Sequence, residues 1–596
     1  MEQYELGTYK TLESYYRPIK TEQSNDSTVD SIPAPIPLNF SDKRFDNSQV
    51  KTGTSIPMMA FCPEFIDEVE ECELITIPSE SILEDSLRHE CERILFQETL
   101  MNRLIYDSID PSPFPQIDNP TDLPPFFTPT SHEDNTLVFE SRFESGNLRR
   151  VIQIKEFEYD LILKPDYNTR GNTQWFYFSM SNTRIGVSYK LNIVNMAKPD
   201  SLYNYGMKPC VYSKKEAELY KRGWRREGLD ICYYQNGIKK KTGGNYFTLT
   251  FSVIAKHDFD TIYIAHCYPY TYTDLCKDLN KLLSDSKKRN KVRRKTLCQT
   301  IAGNPCDYLT ITNFTPDETM KNRKGIVVFA RVHPGESNSS WMMKGLIDFL
   351  TGPSLDAKII RENFIFRIVP MLNPDGVING NYRCGLAGVD LNRCWIDPSP
   401  KLHPTIYHAK QMLRQFKEET EVVLVCDMHG HSRKKNIFMY GCSSRSGVKE
   451  QVFPKLLETN SDLFSFADCE FGVQKTKEST ARIVIYKEFE IINSYTIESS
   501  FCGADFGKYR DFHFNPNHLQ EIGRDFCDTL LDFCDPNQAK VKSITEELEA
   551  NRLDEEEEVE MVEEVVEDEN GKKKKKKKKQ VVKKKPNTAV RLKKIG

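Results

Sequence analysis

A chain of 596 residues, 39% of them hydrophobic, is long enough for several domains and two sizeable cores. Its net charge of −4 selects no partner by average field, and its 17 cysteines form no C-x-x-C pair, which excludes a zinc or redox motif of that kind. No apolar run reaches 18 residues and the opening MEQYELGTYK is polar, so the expectation is an intracellular protein with free thiols, no membrane span and no secretory leader.

Residues 1–130 read as an N-terminal extension, partly disordered, with Pro-dense pieces at 32–37 and 110–130. Within it, Ile82, Leu83, Leu87, Cys91, Ile94 and Leu95 share one helical face and predict a helix. From residue 131 to 272, short alternating runs separated by turn signals predict an antiparallel β-sandwich, with Trp175, Phe176, Tyr177 and Phe178 in its core. The stretch 273–295, TDLCKDLNKLLSDSKKRNKVRRK, reads as a basic, solvated helix connecting domains. Apolar strands then alternate with helices. This predicts an α/β domain over 273–540, its sheet mixed but mostly parallel with flanking helices, and a site at the strands' carboxyl ends. From 541 an acidic block runs into lysines 572–579 and 583–585, a composition that buries no core and predicts a disordered tail.

GIVVFARVHPGES carries the first chemical signal. A β-branched run ends in a tight turn bearing His333 and Glu336, spaced H-x-x-E, and Pro334-Gly335 bends the backbone so that both side chains can converge. Such a pair is weak alone in a chain with 11 His. A second apolar run, VVLVCDMHGHS, delivers His429 in the same way. Two His and one Glu form the ligand set of a hydrolytic zinc site, which keeps one position open for water. His431 lies two residues on and competes for the role; His429 is preferred because it follows the strand directly.

Between and after these ligands come NPDG (373–376), GNYR (380–383), GVDLNR (388–393) and YTIESSF (495–501). The ordered series HPGE, NPDG, GNYR, GVDLNR, DMHGHS, YTIESSF resembles the M14 zinc metallocarboxypeptidases, and among them the cytosolic carboxypeptidase branch, known for shortening glutamate chains on tubulin. The resemblance covers roughly residues 295–535, and the β domain before it resembles the one that precedes the catalytic domain in that branch. It implies a carboxypeptidase-like α/β fold and one Zn²⁺ held by His333, Glu336 and His429. It further implies Glu498 as general base and Arg383 as the group that stabilises the developing oxyanion. Asn392 and Arg393 would hold the substrate's α-carboxylate, and Asp390 would orient His333. By the same resemblance the terminal side chain is read from a loop about fifteen residues before the catalytic acid. Arg482 lies there, sixteen residues ahead of Glu498, and a cation suits a terminal glutamate. The tyrosine that closes over substrate in secreted relatives has no clean counterpart; Tyr486 and Tyr495 both remain open.

The implied function is hydrolysis of C-terminal or branch glutamates from polyglutamylated proteins, with tubulin or another glutamate-tailed protein as partner. Neither membrane nor nucleic acid is expected as a partner. The chain is expected as a monomer, cytoplasmic, at the cytoskeleton, cilium or basal body. Tubulin detyrosination, zinc-dependent deacylation of N-acyl amino acids and an inactive microtubule-associated scaffold are the alternatives. The intact Glu498 and complete ligand set argue against the last.

Overall fold

The structure is a computed structural model that describes residues 73–109, 127–315, 318–443 and 447–564. Two sheets face each other in the N-terminal half. One has the order β1 (Arg103–Asp107), β3 (Leu148–Lys155), β4 (Glu158–Leu163), β6 (Ser188–Met196), β10 (Asn245–Ile254), β9 (Leu229–Lys239). The other runs β2 (Val138–Glu140), β5 (Tyr177–Ser181), β11 (Ile262–Ala265), β7 (Cys210–Ser213), β8 (Arg225–Arg226). The aromatic run lies between them: Trp175, Phe176, Tyr177 and Phe178 are all buried, and Phe176 stacks on Phe251 of the facing sheet.

The sandwich differs from expectation in two ways. β4 and β6 pair in parallel. β1, contributed by the extension, pairs antiparallel with β3, so the domain starts before residue 131. The expected helix spans Glu80–Leu95, but its apolar stripe faces outward, with Leu83 and Leu87 each 41% exposed. It docks through its charged face instead: Arg93 pairs with Asp160, and His89 Nε2 lies 2.8 Å from Glu158 Oε1. Ion pairing at a partly buried seam replaces apolar contact here. The extension's other pieces, at 1–72 and 110–126, lie outside the described residues.

The second half is built on a seven-stranded sheet ordered β12 (Val292–Gln299), β13 (Pro305–Ile311), β15 (Phe364–Val369), β14 (Lys324–Ala330), β16 (Val422–His431), β18 (Ser494–Ser500), β17 (Ile437–Tyr440). The central pairings β15–β14, β14–β16 and β16–β18 are parallel, and the outer ones are antiparallel. GIVVFA sits near the middle with every residue buried, which is why its run is continuous rather than alternating. Helices cover both faces, among them Ser337–Thr351 and Pro516–Phe533 on one and Pro404–Glu419 and Ala481–Phe489 on the other. One buried cluster runs without a break from Phe176 and Tyr203 of the sandwich to Trp341, Ile497 and Phe501 of the α/β domain. The two domains therefore share a core.

The basic segment 273–295 is not one helix. A helix covers Tyr272–Ser284, capped by reciprocal bonds between Thr271 and Asp274, and VRRK then opens the edge strand β12. Partnering with β13 outweighs the charge density there: Arg294 and Thr296 both bond Asp307 across the pair. The tail begins as a helix, Ala539–Glu564, and crosses the residue-541 boundary drawn from composition. The chain divides near residue 545, beyond which the described part is the remainder of that helix; lysines 572–579 and 583–585 lie outside the described residues.

Candidate metal centre and active site

Strands β14, β16 and β18 lie side by side and point the same way, so their carboxyl ends open onto one place. β14 leads into the His333–Glu336 turn. His429 occupies β16, and Glu498 is its register partner on β18, which sets the two side chains next to each other on one face of the sheet.

The turn itself is held tightly. Arg331, buried and at φ +56°, donates from Nε to the Pro334 carbonyl at 2.8 Å and from Nη1 to the Tyr270 carbonyl at 2.8 Å. Gly335 is required by crowding, since a Cβ there would come within 2.6 Å of the Tyr382 ring. Gly376 of NPDG is required for the same reason, since its Cβ would meet Pro334 at 2.3 Å. These contacts explain why HPGE and NPDG occur together.

His333, Glu336 and His429 form the one group among the described residues that could hold a metal ion. His333 Nδ1 lies 3.0 Å from Glu336 Oε1 and 3.2 Å from His429 Nδ1; His429 Nδ1 lies 3.0 Å from Glu336 Oε2. Each ring turns its other nitrogen toward a carboxylate: His333 Nε2 to Asp390 Oδ1 at 2.9 Å, and His429 Nε2 to Asp427 Oδ2 at 2.7 Å. A carboxylate only accepts, so each Nε2 keeps its proton, and each Nδ1 faces inward, where it gives its lone pair to a cation once no proton occupies it. Three electron-pair donors then converge within about 3 Å of one another, an arrangement that a cation must neutralise. Two imidazoles and a carboxylate, each ring backed by a second carboxylate, fit Zn²⁺. While no cation is bound, protons take its place, and the electrostatics show the same demand for positive charge. Burial disfavours a charged His429, but Asp427 and Glu336 outweigh it and hold its pKa well above the ordinary value. Burial also works against the Glu336 charge, and the two imidazoles hold that carboxyl well below its usual range. His431 stays out of the cluster; its Nδ1 accepts the Lys434 N–H at 2.8 Å.

Around this centre the remaining candidates are linked by Asp390. Its Oδ1 takes His333 and the Asn392 N–H at 2.9 Å, and its Oδ2 accepts Arg383 Nε at 2.7 Å. Arg393 Nη1 stands 3.9 Å from the same oxygen. Burial works against the Asp390 charge, but His333, Arg383 and Arg393 pull its pKa below the usual range. The Asn392 amide is oriented through its oxygen: Oδ1 accepts the Ala481 N–H at 2.9 Å, while Nδ2 lies 3.4 Å from His429 Nε2, whose proton is already bonded to Asp427. Burial pushes the Glu498 carboxyl up to about 7; His429 opposes that rise and Glu336 adds to it. An acid that titrates near neutrality is suited to taking a proton and giving it back.

Arg482 is buried at the start of the helix Ala481–Phe489. It donates from Nη1 to the Gly441 carbonyl, and its guanidinium carbon lies 5.8 Å from the centre of the Tyr440 ring. Of the two tyrosines left open, Tyr495 is buried and its hydroxyl donates to the Glu450 carbonyl at 2.9 Å, which removes it from the site. Sequence reading missed Asp427 and Arg331. Asp427 was detectable, because residues two apart on a strand share a face.

A seven-stranded mixed sheet with a His-Glu-His centre at its parallel strand ends is the arrangement that the ordered sequence motifs implied. Residues 279–528 match the zinc carboxypeptidase family Peptidase_M14, and residues 139–266 match the cytosolic carboxypeptidase N-terminal domain. The chain belongs to the zinc carboxypeptidase family, in its cytosolic carboxypeptidase branch. It is 48% identical over 430 residues to cytosolic carboxypeptidase 3 of Mus musculus, covering 71% of this chain and 42% of that protein. To cytosolic carboxypeptidase 2 of Homo sapiens it is 48% identical over 422 residues, covering 70% of this chain and 46% of that one. The chain thus spans less than half the length of these relatives. Its fold is similar to that of a metallo-carboxypeptidase from Burkholderia cenocepacia, with TM-score 0.56 and 22% identity over 66% of this chain and 98% of the other. Among the described residues, no helix is long and apolar enough to cross a membrane.

Proposed function

We propose that this protein is a zinc-dependent carboxypeptidase that removes glutamate from the C termini or side-chain branches of polyglutamylated proteins, tubulin foremost. The observation that carries the reading is the convergence of His333 Nδ1, His429 Nδ1 and Glu336 beside Glu498. Zinc held there would activate a water and polarise the scissile carbonyl. Glu498 takes the proton from the attacking water and returns it to the leaving amine. Arg383, braced by Asp390, faces the charge that develops on the carbonyl oxygen. Asn392 and Arg393 clamp the free α-carboxylate, and Arg482 supplies the positive charge for a terminal glutamate side chain. A cytoplasmic location is consistent with the names of its relatives, and a place at the cytoskeleton or cilium follows only if tubulin is the substrate. The test is incubation of the purified protein with polyglutamylated tubulin and with tyrosinated tubulin, followed by analysis of the released amino acids. Glutamate release that is absent from Glu498→Gln supports the reading. Tyrosine release alone would replace it with detyrosination, and release of neither would remove tubulin as substrate.

A further inference from the structure

Arg383 is brought to the metal centre by the α/β domain, but its backbone is held by the sandwich. Asp166, buried in the loop after β4, places both carboxylate oxygens against three successive peptide N–H groups. Oδ1 accepts from Tyr382 at 2.6 Å, and Oδ2 accepts from Arg383 at 2.8 Å and Cys384 at 2.8 Å. Neighbouring residues of the same loop reinforce the hold. The Tyr167 N–H donates to Asn381 Oδ1 at 3.1 Å, and Asn168 Nδ2 donates to the Leu386 carbonyl at 2.9 Å. At the other side of the active-site loop, Lys198, just past β6, donates from Nζ to the Tyr382 hydroxyl at 2.8 Å and to Ser432 Oγ at 2.7 Å. Tyr382 is the ring that Gly335 packs against in the metal-binding turn.

Three consecutive amides turned toward one point form a concave anion site. A carboxylate that accepts all three fixes the backbone of residues 382–384 and hence the origin of the Arg383 side chain. Asp390 fixes the far end of the same side chain through Nε. Arg383 is therefore pinned at both ends, by one carboxylate from each domain. We infer that Asp166 is a positioning residue for catalysis, and that the sandwich domain completes the active site by holding the loop from which Arg383 reaches substrate.

Only the role of Arg383 rests on the carboxypeptidase reading; the geometry of the loop does not. Two measurements separate them. In the first, hydrogen exchange is followed at the amides of 382–384 in metal-free protein. Protection in wild type that falls in Asp166→Asn supports the inference, and unprotected amides in wild type overturn it whether or not the variant folds. The second is a double-mutant cycle on a peptide ending in glutamate. Asp166→Asn should lower kcat/KM by about 10²-fold, mainly in kcat, because a displacement near 1 Å is worth that much. Zinc content should stay at one per chain. In an Arg383→Ala background the same substitution should change kcat/KM less than about threefold, since partners acting as a unit are non-additive. Equal losses in both backgrounds would make Asp166 a purely structural residue and sink the inference. A wild-type protein that cleaves no peptide while its 382–384 amides are protected would instead sink the carboxypeptidase reading.

Discussion

Asp427 accepts a hydrogen bond from Nε2 of His429 at 2.7 Å, and the two residues lie two positions apart on β16. Strand periodicity places both side chains on one face, so a single backbone segment supplies the ligand and the carboxylate that orients it. Loss of such a partner typically costs 10–100-fold in metal affinity. Asp427→Ala should therefore weaken zinc binding by about that factor. Competition against a chromophoric chelator measures it, and unchanged affinity would show that His429 is oriented by packing alone.

Ligand identity is tested on the same strand. His429→Ala should abolish stoichiometric zinc, because only two donors remain, whereas His431→Ala should leave it near one per chain. Elemental analysis of the two purified variants decides between them. Retention of zinc by His429→Ala would overturn the assignment.

Glu498→Gln is nearly isosteric and removes the proton acceptor. Zinc and substrate binding should persist while kcat falls by at least about 10²-fold, the lower end of general acid–base contributions. Activity within a few-fold of wild type would place general-base work on another group.

Much of this centre was legible because its ligands follow continuous apolar runs: GIVVFA and VVLVC read as buried strands, and both fold as neighbours in one sheet. The links made across long sequence separations were not legible. Asp166 is 216 residues from Tyr382, and nothing local to KPDYN marks its carboxylate as an acceptor for three distant amides. Charge also misled. VRRK reads as the end of a basic helix, yet an edge strand exposes one face to water and tolerates charged side chains there, so pairing with β13 decided its conformation. The helix Glu80–Leu95 failed in the opposite sense. Its apolar spacing gave the helix, but the partner surface offered Glu158 and Asp160, and the charged face docked.

The seam between the domains should be pH-sensitive through Glu144. This side chain is buried where the sandwich meets the helix Tyr272–Ser284, and its Oε1 accepts the Thr273 N–H at 3.1 Å. Burial pushes its carboxyl up to about 7; bonds to Thr273 oppose the rise and nearby Asp274 adds to it. The unfolded chain releases this proton near pH 4.5 and the folded chain near 7, so the folded state binds more protons between those values. Stability is thus lost as pH rises through that window, up to about 3 kcal/mol above it. Glu144→Gln should match wild type in thermal stability near pH 4.5 and exceed it progressively toward pH 8. A constant difference across that range would mean that Glu144 does not titrate there.

Arg482 decides substrate selectivity in the proposed function. A carboxylate entering a partly desolvated pocket needs a paired cation, or its burial costs several kcal/mol. The guanidinium is already fixed by the Gly441 carbonyl and lies beside Tyr440, so little further ordering would be needed to receive a terminal glutamate. Both contacts from Arg482 to Gly441 and Cys442 use Nη1 alone. Replacing Arg482 with Met keeps most of the buried volume and removes the charge. For a peptide ending in Glu, kcat/KM should then fall by roughly 10²-fold. Peptides ending in Gln or Leu should lose much less, because Asn392 and Arg393 still hold the α-carboxylate. Matched peptides ending in Glu, Gln and Leu, measured on both proteins, give the answer. Equal losses for all three would show that Arg482 only props up the Gly441 carbonyl and the Cys442 side chain. Lys477 then becomes the cation to test: burial lowers its pKa, as do Arg393 and Arg383, while Glu498 opposes them, so it stands in the same charged neighbourhood.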